Sequence, residues 1–473
     1  MSRLAGNRPG QDDALTNIDV SLLKKYDKPG PRYTSYPTAP LFSPEFNAQH
    51  YRDALQNSNG MDAHSDISLY LHFPFCDTLC YFCGCTMLVT RDRRRIDEYL
   101  LYLKKEIDLL AHALGDGRRV VQLHWGGGTP TYLSPDQIRA IGGHTLNRFA
   151  IDPSAERSVE VDPRELTRDH ITALSEVGFS RMSMGIQDFN ERVQQAVNRV
   201  QPESLARDVF AWARETGFTS VNVDLIYGLP FQTLSSFQET IRRVVMLDPD
   251  RIAVFNYAHV PWLKPHQKLI RQEDLPTPEQ KLDILKMTIE TLGEHGYSYI
   301  GMDHFAKPDD ELARAQREKT LYRNFQGYST KSGVDLFGLG MSSIGHFARY
   351  YAQNVKTLPE YYRALDAGEF ATHLGYHMTD DDVVRNHVIM KLMCDLELDI
   401  TEVERRFSIR FSEYFADAVA SLRPLVDDGL VHVTNDRISV VGAGRLLLRN
   451  VAMPFDAYLD RMGVSKPIFS RTV

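Results

Sequence analysis

Between about residues 65 and 305, short apolar runs alternate with longer amphipathic stretches. The runs at 67–75, 120–125, 158–161, 181–186, 221–226, 252–257 and 299–302 are strand-length and rich in apolar residues. Apolar strands that alternate with helices point to a parallel sheet covered by those helices. The stretches between them carry helix-start signals. Ser134, Pro135 and Gln137 supply a cap, a first-turn proline and a reciprocal side chain, and Thr277, Pro278 and Gln280 repeat the device. Repeated βα units predict an α/β catalytic unit, a barrel or partial barrel with its chemistry at the carboxyl ends of the strands.

The pattern changes at both ends. Residues 1–50 are rich in Pro, Gly, Asn and Asp and are expected to form an irregular arm, in which the aromatic segment 31–37 is expected to pack against the body. Residues 51–370 are expected to form the catalytic partial barrel. Residues 371–473 are expected to form a mainly helical domain. There Thr379 and Thr401 are expected to cap successive helices, and a hairpin over 431–440 turns at Asn435 and Asp436. Helices followed by a small hairpin suggest a winged-helix-like module. Its hairpin has no basic cluster, so a lid or packing role is expected over DNA binding.

The chain has 473 residues, more than one core usually supports. A hydrophobic content of 43% and a charged content of 25% are those of an ordinary soluble protein. The net charge of −8 argues against nucleic acid as a partner. The first residues lack the apolar core of a signal peptide, and no membrane-length apolar run occurs, so a cytoplasmic protein without a membrane partner is expected.

The strongest chemical signal follows the first strand. Four of the five cysteines, Cys76, Cys80, Cys83 and Cys85, fall within ten residues, the first three spaced CxxxCxxC. Three thiolates on one loop can hold three irons of a 4Fe–4S cluster and leave the fourth iron open. A structural zinc site more often uses two separated cysteine pairs, and no second pair follows. A disulfide framework does not suit a long chain with no export signal. The role of Cys85 stays open, as a supporting thiol or an unused one.

Other candidates cluster at the predicted strand ends. Gly126, Gly127, Gly128, Thr129 and Pro130 follow the second strand and lack the lysine of a phosphate loop, so a close backbone approach to a ligand is expected there, with bare N–H and C=O groups as its partners. Glu160 and Asp162, two apart, share one side of a strand end. Asp224 lies in an apolar run and requires a partner, a ligand hydroxyl or a buried ion pair. The basic run 91–95 is either a solvated face or a set of carboxylate-binding forks.

These motifs together resemble the oxygen-independent coproporphyrinogen III oxidases (dehydrogenases), a family of radical S-adenosylmethionine enzymes. The resemblance is carried by the segments 31–37, 70–85, 124–131, 160–164, 183–189, 224–230, 255–259, 301–305 and 323–328. It implies a partial parallel βα barrel under a mainly helical C-terminal domain. It implies a 4Fe–4S cluster on Cys76, Cys80 and Cys83, and two S-adenosylmethionine molecules. Tyr70, Gly127, Glu160, Ala258 and Ile344 match the first of these sites, and Phe82, Gly128, Thr129, Gln187, Arg199 and Asp224 match the second. Arg32 and Tyr33 are implied in the substrate region.

The implied activity is an oxidoreductase step in porphyrin and haem biosynthesis. A 5′-deoxyadenosyl radical takes a hydrogen atom from a propionate of coproporphyrinogen III. Loss of CO2 and one electron leaves a vinyl group, and a second round gives protoporphyrinogen IX. An electron donor, an electron acceptor and a monomeric state are further implications. The alternative is a related haem chaperone that binds cluster and haem without decarboxylation. Those relatives lack the arm segment 31–37 and the Gly84-Cys85 ending, both present here.

Overall fold

The computed structural model describes residues 15, 18–62, 66–115, 117–459 and 469–472. Most of the first seventeen residues of the predicted arm lie outside the described residues.

A twelve-stranded sheet organises the chain. Its strands are β1 (Ile67–Phe73), β2 (Arg119–Gly127), β3 (Ala150–Val161), β4 (Arg181–Gln187), β5 (Ser220–Tyr227), β6 (Arg251–Asn256), β7 (Ser298–Gly301), β8 (His304–Ala306), β9 (Asp335–Leu339), β10 (Ile344–Phe347), β11 (Tyr350–Asn354) and β12 (Thr372–His377). They run in the order β12-β11-β10-β9-β1-β2-β3-β4-β5-β6-β8-β7. The strands β1 to β6 are parallel and in chain order. A helix follows each of them, beginning with Arg93–Leu114 after β1 and ending with Pro278–Glu294 after β6. Six βα units therefore curve into an open barrel. Both predicted helix starts form reciprocal caps, at Ser134 and at Thr277. The helix-covered face of these strands is apolar: Trp125, Leu69, Leu123, Val223 and Leu225 are all fully buried.

Two expectations about the sheet change. The run at 299–302 forms a strand, but β7 sits at the antiparallel edge beside β8 and does not extend the parallel barrel. The segment 335–339, not expected as a strand, pairs in parallel with β1 and so places later sequence at the front of the barrel. Glu106 fixes this junction. It lies fully inside the protein on the helix after β1, and accepts from the Gly340 amide, the Asn354 amide and the Tyr361 hydroxyl, each at 2.6 Å.

The arm is less irregular than its composition suggests. Val20–Tyr26 is a helix capped by the Asp19 side chain. Beyond it Tyr33 and Tyr36 are buried, and their hydroxyls bond Asp456 and the Ala457 amide. After β12 comes the helix Asp380–Asp395, capped by Thr379 as expected. The helix Ile400–Phe407 is capped by Asp399, not Thr401, because the Asp399 carboxylate reaches the Glu402 amide at 2.9 Å. A hairpin of Val431–Val433 and Arg437–Val440 pairs with Glu397–Asp399, which completes a winged-helix-like arrangement.

Candidate active site

The parallel strands end in one cavity of about 620 Å3. This is an ordinary size for a small-molecule site. Cys76, Cys80 and Cys83 all line it, as do Phe82 and Cys85. The cysteine loop folds back on itself between β1 and the helix after it. Its base is tied to the glycine turn, where Gly128 N donates to Phe73 O at 2.8 Å and Thr129 N to Phe75 O at 2.9 Å.

This pairing explains the glycines. A Cβ on Gly128 would sit 2.7 Å from the Pro74 carbonyl. Gly127 has φ +115° and packs against the His72 ring. It also corrects one expectation. The amides of Gly127, Gly128 and Thr129 are not bare: Gly127 N donates to Glu160 at 3.0 Å, and the other two are taken by the cysteine loop.

Two carboxylates leave the end of β3 as expected and differ in environment. Glu160 faces the cavity, with His124 at 3.7 Å. Burial opposes its charge, but the His124 ring and the Gly127 amide hold its pKa below the ordinary value. Asp162 is nearly buried and paired twice, with Arg199 at 2.9 Å and with Arg164 at 2.7 Å. Despite the burial, those guanidiniums bring its pKa down to about 2. Both arginines also reach the Cys80 sulfur at 3.5 Å. Two cations and one carboxylate leave one positive charge facing that sulfur, which suits an anionic thiolate ligand.

Asp224 on β5 finds hydrogen bonds rather than an ion pair. Ser183 Oγ donates at 2.5 Å and Asn222 Nδ2 at 2.8 Å. Burial outweighs these contacts and pushes its pKa up to about 6. Gln187 has φ +67° and opens onto the same cavity, while its neighbour Asp188 turns inward to Thr240 and Gln232.

Burial pushes the Cys76 thiol up to about 12. A hydrogen bond from Cys85 brings Cys83 down to about 6, helped by Lys264 and His266. The loop after β6 clamps the cysteine loop from outside. Lys264 donates to Cys85 O at 3.0 Å, His266 lies 2.7 Å from Cys83 O, and Gln267 donates to Phe82 O at 3.0 Å.

A model of the radical SAM superfamily matches residues 70–244, and one of the HemN C-terminal domain matches residues 378–447. The chain is 49% identical over 455 residues to oxygen-independent coproporphyrinogen III oxidase of Escherichia coli (strain K12), covering 96% of this chain and 98% of the relative. The protein of the same name from Synechocystis is 46% identical, with coverage of 96% and 98%. The chain belongs to the oxygen-independent coproporphyrinogen III oxidase family. The solved coproporphyrinogen III oxidase (HemN) of Escherichia coli, described as a radical SAM enzyme, superimposes with a TM-score of 0.89 at 48% identity, covering 94% of this chain and 99% of that one. Membership carries a 4Fe–4S cluster and S-adenosylmethionine as cofactors.

The residues present fit those groups. Among the described residues no three His, Cys, Asp or Glu side chains meet at one point as the ligands of a single ion do. Thiolates that each hold a separate iron stand further apart than that. Three thiols at one end of the cavity, with Glu160, Gln187 and Asp224 along its wall, supply the donors a cluster and an amino-acid sulfonium need.

Of the predicted cofactor positions, Phe82, Gly127, Gly128, Thr129, Glu160, Gln187, Arg199, Asp224 and Ala258 line the cavity. Tyr70 and Ile344 do not. Tyr70 stacks on His124 and lies 3.0 Å from His72 Nδ1, next to Glu160. Its strand partner Gly338 leaves room for the Ile344 backbone, so the two positions adjoin across β9. Tyr33 is a core residue, and Arg32 pairs with Asp303 beside a second, smaller cavity. The basic run is engaged locally: Arg91 with Asp77, Arg94 with Asp92, and Arg93 over the Tyr132 ring.

The motif reading gives no role to Arg164, Ser183, Lys264 or Gln267, all of which line the cavity. For Arg164 a signal exists in its spacing two residues after Asp162. Lys264 and Gln267 show none, because their loop lies about 180 residues from the cysteines they clamp.

Proposed function

We propose that this chain carries out the oxygen-independent oxidative decarboxylation of two propionate side chains of coproporphyrinogen III, giving the two vinyl groups of protoporphyrinogen IX in haem biosynthesis. The observation that supports it most directly is the joint lining of one barrel-end cavity by Cys76, Cys80, Cys83 and the wall residues Glu160, Gln187, Arg199 and Asp224. Cys76, Cys80 and Cys83 hold the cluster. Two S-adenosylmethionine molecules occupy the cavity, one toward Tyr70, Gly127, Glu160, Ala258 and Ile344, the other toward Phe82, Gly128, Thr129, Gln187, Arg199 and Asp224.

When bound, the cluster and S-adenosylmethionine supply one-electron cleavage of the sulfonium and the abstraction of a hydrogen atom. For each propionate, the side chain loses one hydrogen atom, then CO2 and one electron, and the carbon–carbon double bond remains. The residues orient and isolate this chemistry. Glu160, kept ionised, accepts from a ligand ammonium group, and Asp224 and Gln187 address hydroxyls. Phe82, Ile226, Phe255 and Val260 make an apolar wall that keeps water from a reactive carbon centre. An external low-potential donor and an acceptor complete the electron balance, and the enzyme works as a cytoplasmic monomer. No helix among the described residues is long and apolar enough to cross a membrane.

The test is anaerobic turnover with reconstituted cluster, coproporphyrinogen III, S-adenosylmethionine, a strong reductant and an electron acceptor. Loss of two carboxyl groups per tetrapyrrole, matched by 5′-deoxyadenosine, is expected. An intact cluster with no decarboxylation, together with stoichiometric haem binding, would overturn the reading in favour of a chaperone.

A further inference from the structure

Beside the large cavity, between the arm, the end of β6 and the C-terminal segment, lies a second cavity of about 40 Å3. Arg32, Arg449, Asp303, Tyr227, Tyr299 and Asn256 line it. The two cavities meet at Phe255 and Asn256. Asn256 lines both, and the Arg32 guanidinium lies over the Phe255 ring at 6.0 Å.

The charges here do not balance. Arg323 adjoins Arg32, donating from Nε to the Arg32 carbonyl at 3.2 Å, and is only 2% exposed. Its Nη1 has no hydrogen-bond partner, nor has Nδ1 of the neighbouring His304. Arg449 is 4% exposed, and its donors go to main-chain carbonyls of the arm and tail, Pro31 at 2.9 Å and Arg471 at 2.6 Å. Among the described residues Asp303, on Arg32, is the one carboxylate hydrogen-bonded to any of these three guanidiniums. The nearby Arg471 is balanced by its own partner, Asp27, at 2.5 Å. Two buried guanidiniums and a third, partly exposed one, against one carboxylate are costly unless an anion joins them. Burial first, and then their mutual repulsion, bring Arg32 down to about 9 and Arg449 to about 10.

We propose that this pocket is a carboxylate-binding site that seats one propionate of the tetrapyrrole, held by Arg32 with Arg323 and Arg449 as fixed positive charges behind it. This rests on the reading of the large cavity given above. Arg32 is the mobile member, with a third of its side chain exposed. Asp303 holds it in place and competes with the ligand for it.

The experiment uses the cluster-loaded enzyme with coproporphyrinogen III and two variants, Arg32→Gln and Asp303→Asn. Loss of a charge-assisted carboxylate contact corresponds to about a tenfold or greater rise in KM and Kd for Arg32→Gln, with kcat within about twofold. Asp303→Asn frees Arg32 and is expected to tighten binding. If the pair were only structural, both variants would weaken binding and lower Tm together, which would overturn the proposal. An unchanged KM in Arg32→Gln would also overturn it. So would acetate stabilising substrate-free wild type but not Arg32→Gln while KM stays the same, since the site would then serve a free anion. If wild type binds the tetrapyrrole but does not decarboxylate it, the proposed activity fails, and the opposite Kd changes of the two variants still decide the pocket.

Discussion

The Asp162 carboxylate lies 2.9 Å from the Arg199 guanidinium, and the same guanidinium reaches the Cys80 sulfur at 3.5 Å. One ion pair therefore joins the end of β3, the loop after β4 and the cysteine loop. Removing its charge with Asp162→Asn leaves two buried arginines without a counterion, at an expected cost of about 3 kcal/mol. Urea unfolding of wild type and variant checks this. The pH dependence has a definite sign. The pKa of Asp162 is depressed to about 2, so its contribution is complete above the ordinary carboxylate pKa of about 4 and is lost as pH falls through about 2. The stability gap between wild type and Asp162→Asn should narrow across that window.

Asp224 behaves in the opposite way. Burial raises its pKa to about 6, so the folded state favours the protonated carboxyl. The associated stability is complete below about pH 4 and is lost as pH rises through about 6. In cofactor-free protein, Asp224→Asn should remove this dependence and be the more stable form above pH 6 by roughly 2 kcal/mol. The same variant should bind S-adenosylmethionine more weakly, which isothermal titration would read. A variant less stable than wild type at neutral pH would contradict the assignment of burial as the dominant cause.

The cysteines should separate by iron content. Alanine at Cys76, Cys80 or Cys83 is expected to abolish the visible absorption and the iron stoichiometry of the reconstituted protein. Cys85→Ala is expected to keep both, because the proposed ligand set is Cys76, Cys80 and Cys83 alone. Cys85 instead supports Cys83, donating its amide to that sulfur at 3.4 Å.

Two glycines make a paired test of the cavity floor. Gly128→Ala puts a methyl group against main-chain atoms of Pro74 and Phe75, 2.7 and 2.9 Å away, neither of which can move without shifting the cysteine loop. It should weaken cofactor binding by at least tenfold, an effect of about 1.4 kcal/mol. Gly143→Ala, on the helix Pro135–Arg148, meets nothing within 4 Å and should raise stability by up to about 1 kcal/mol without touching binding.

Much of the architecture is legible in local sequence, and the site shows how far that extends. Strand-length runs rich in apolar residues announce β1 to β6, and the residues at their carboxyl ends mark where Cys76, Gly127, Glu160, Gln187 and Asp224 emerge. The strand β9 is not announced, because Asp335–Leu339 is brief and pairs with β1 across more than 250 residues. The free amides expected of the glycine turn are also not free, since their acceptors lie on Glu160 and on the cysteine loop rather than in the turn itself. Tyr33 could be placed near a ligand by its motif, yet packing buries it against Asp456.

The sequence by itself determined the chemistry that spacing encodes. Three cysteines within eight residues sit on one loop whatever surrounds them, and parallel βα units place strand ends on one side. Only the tertiary structure decided which charges face one another. It set Arg164 and Arg199 on Asp162 and Cys80, and the loop of Lys264 and Gln267 over the cysteine loop. It also brought Arg32, Arg323 and Arg449 close together, with Asp303 on Arg32 alone. Such contacts join segments hundreds of residues apart. Their energy comes from burial and mutual distance, quantities that no local periodicity records.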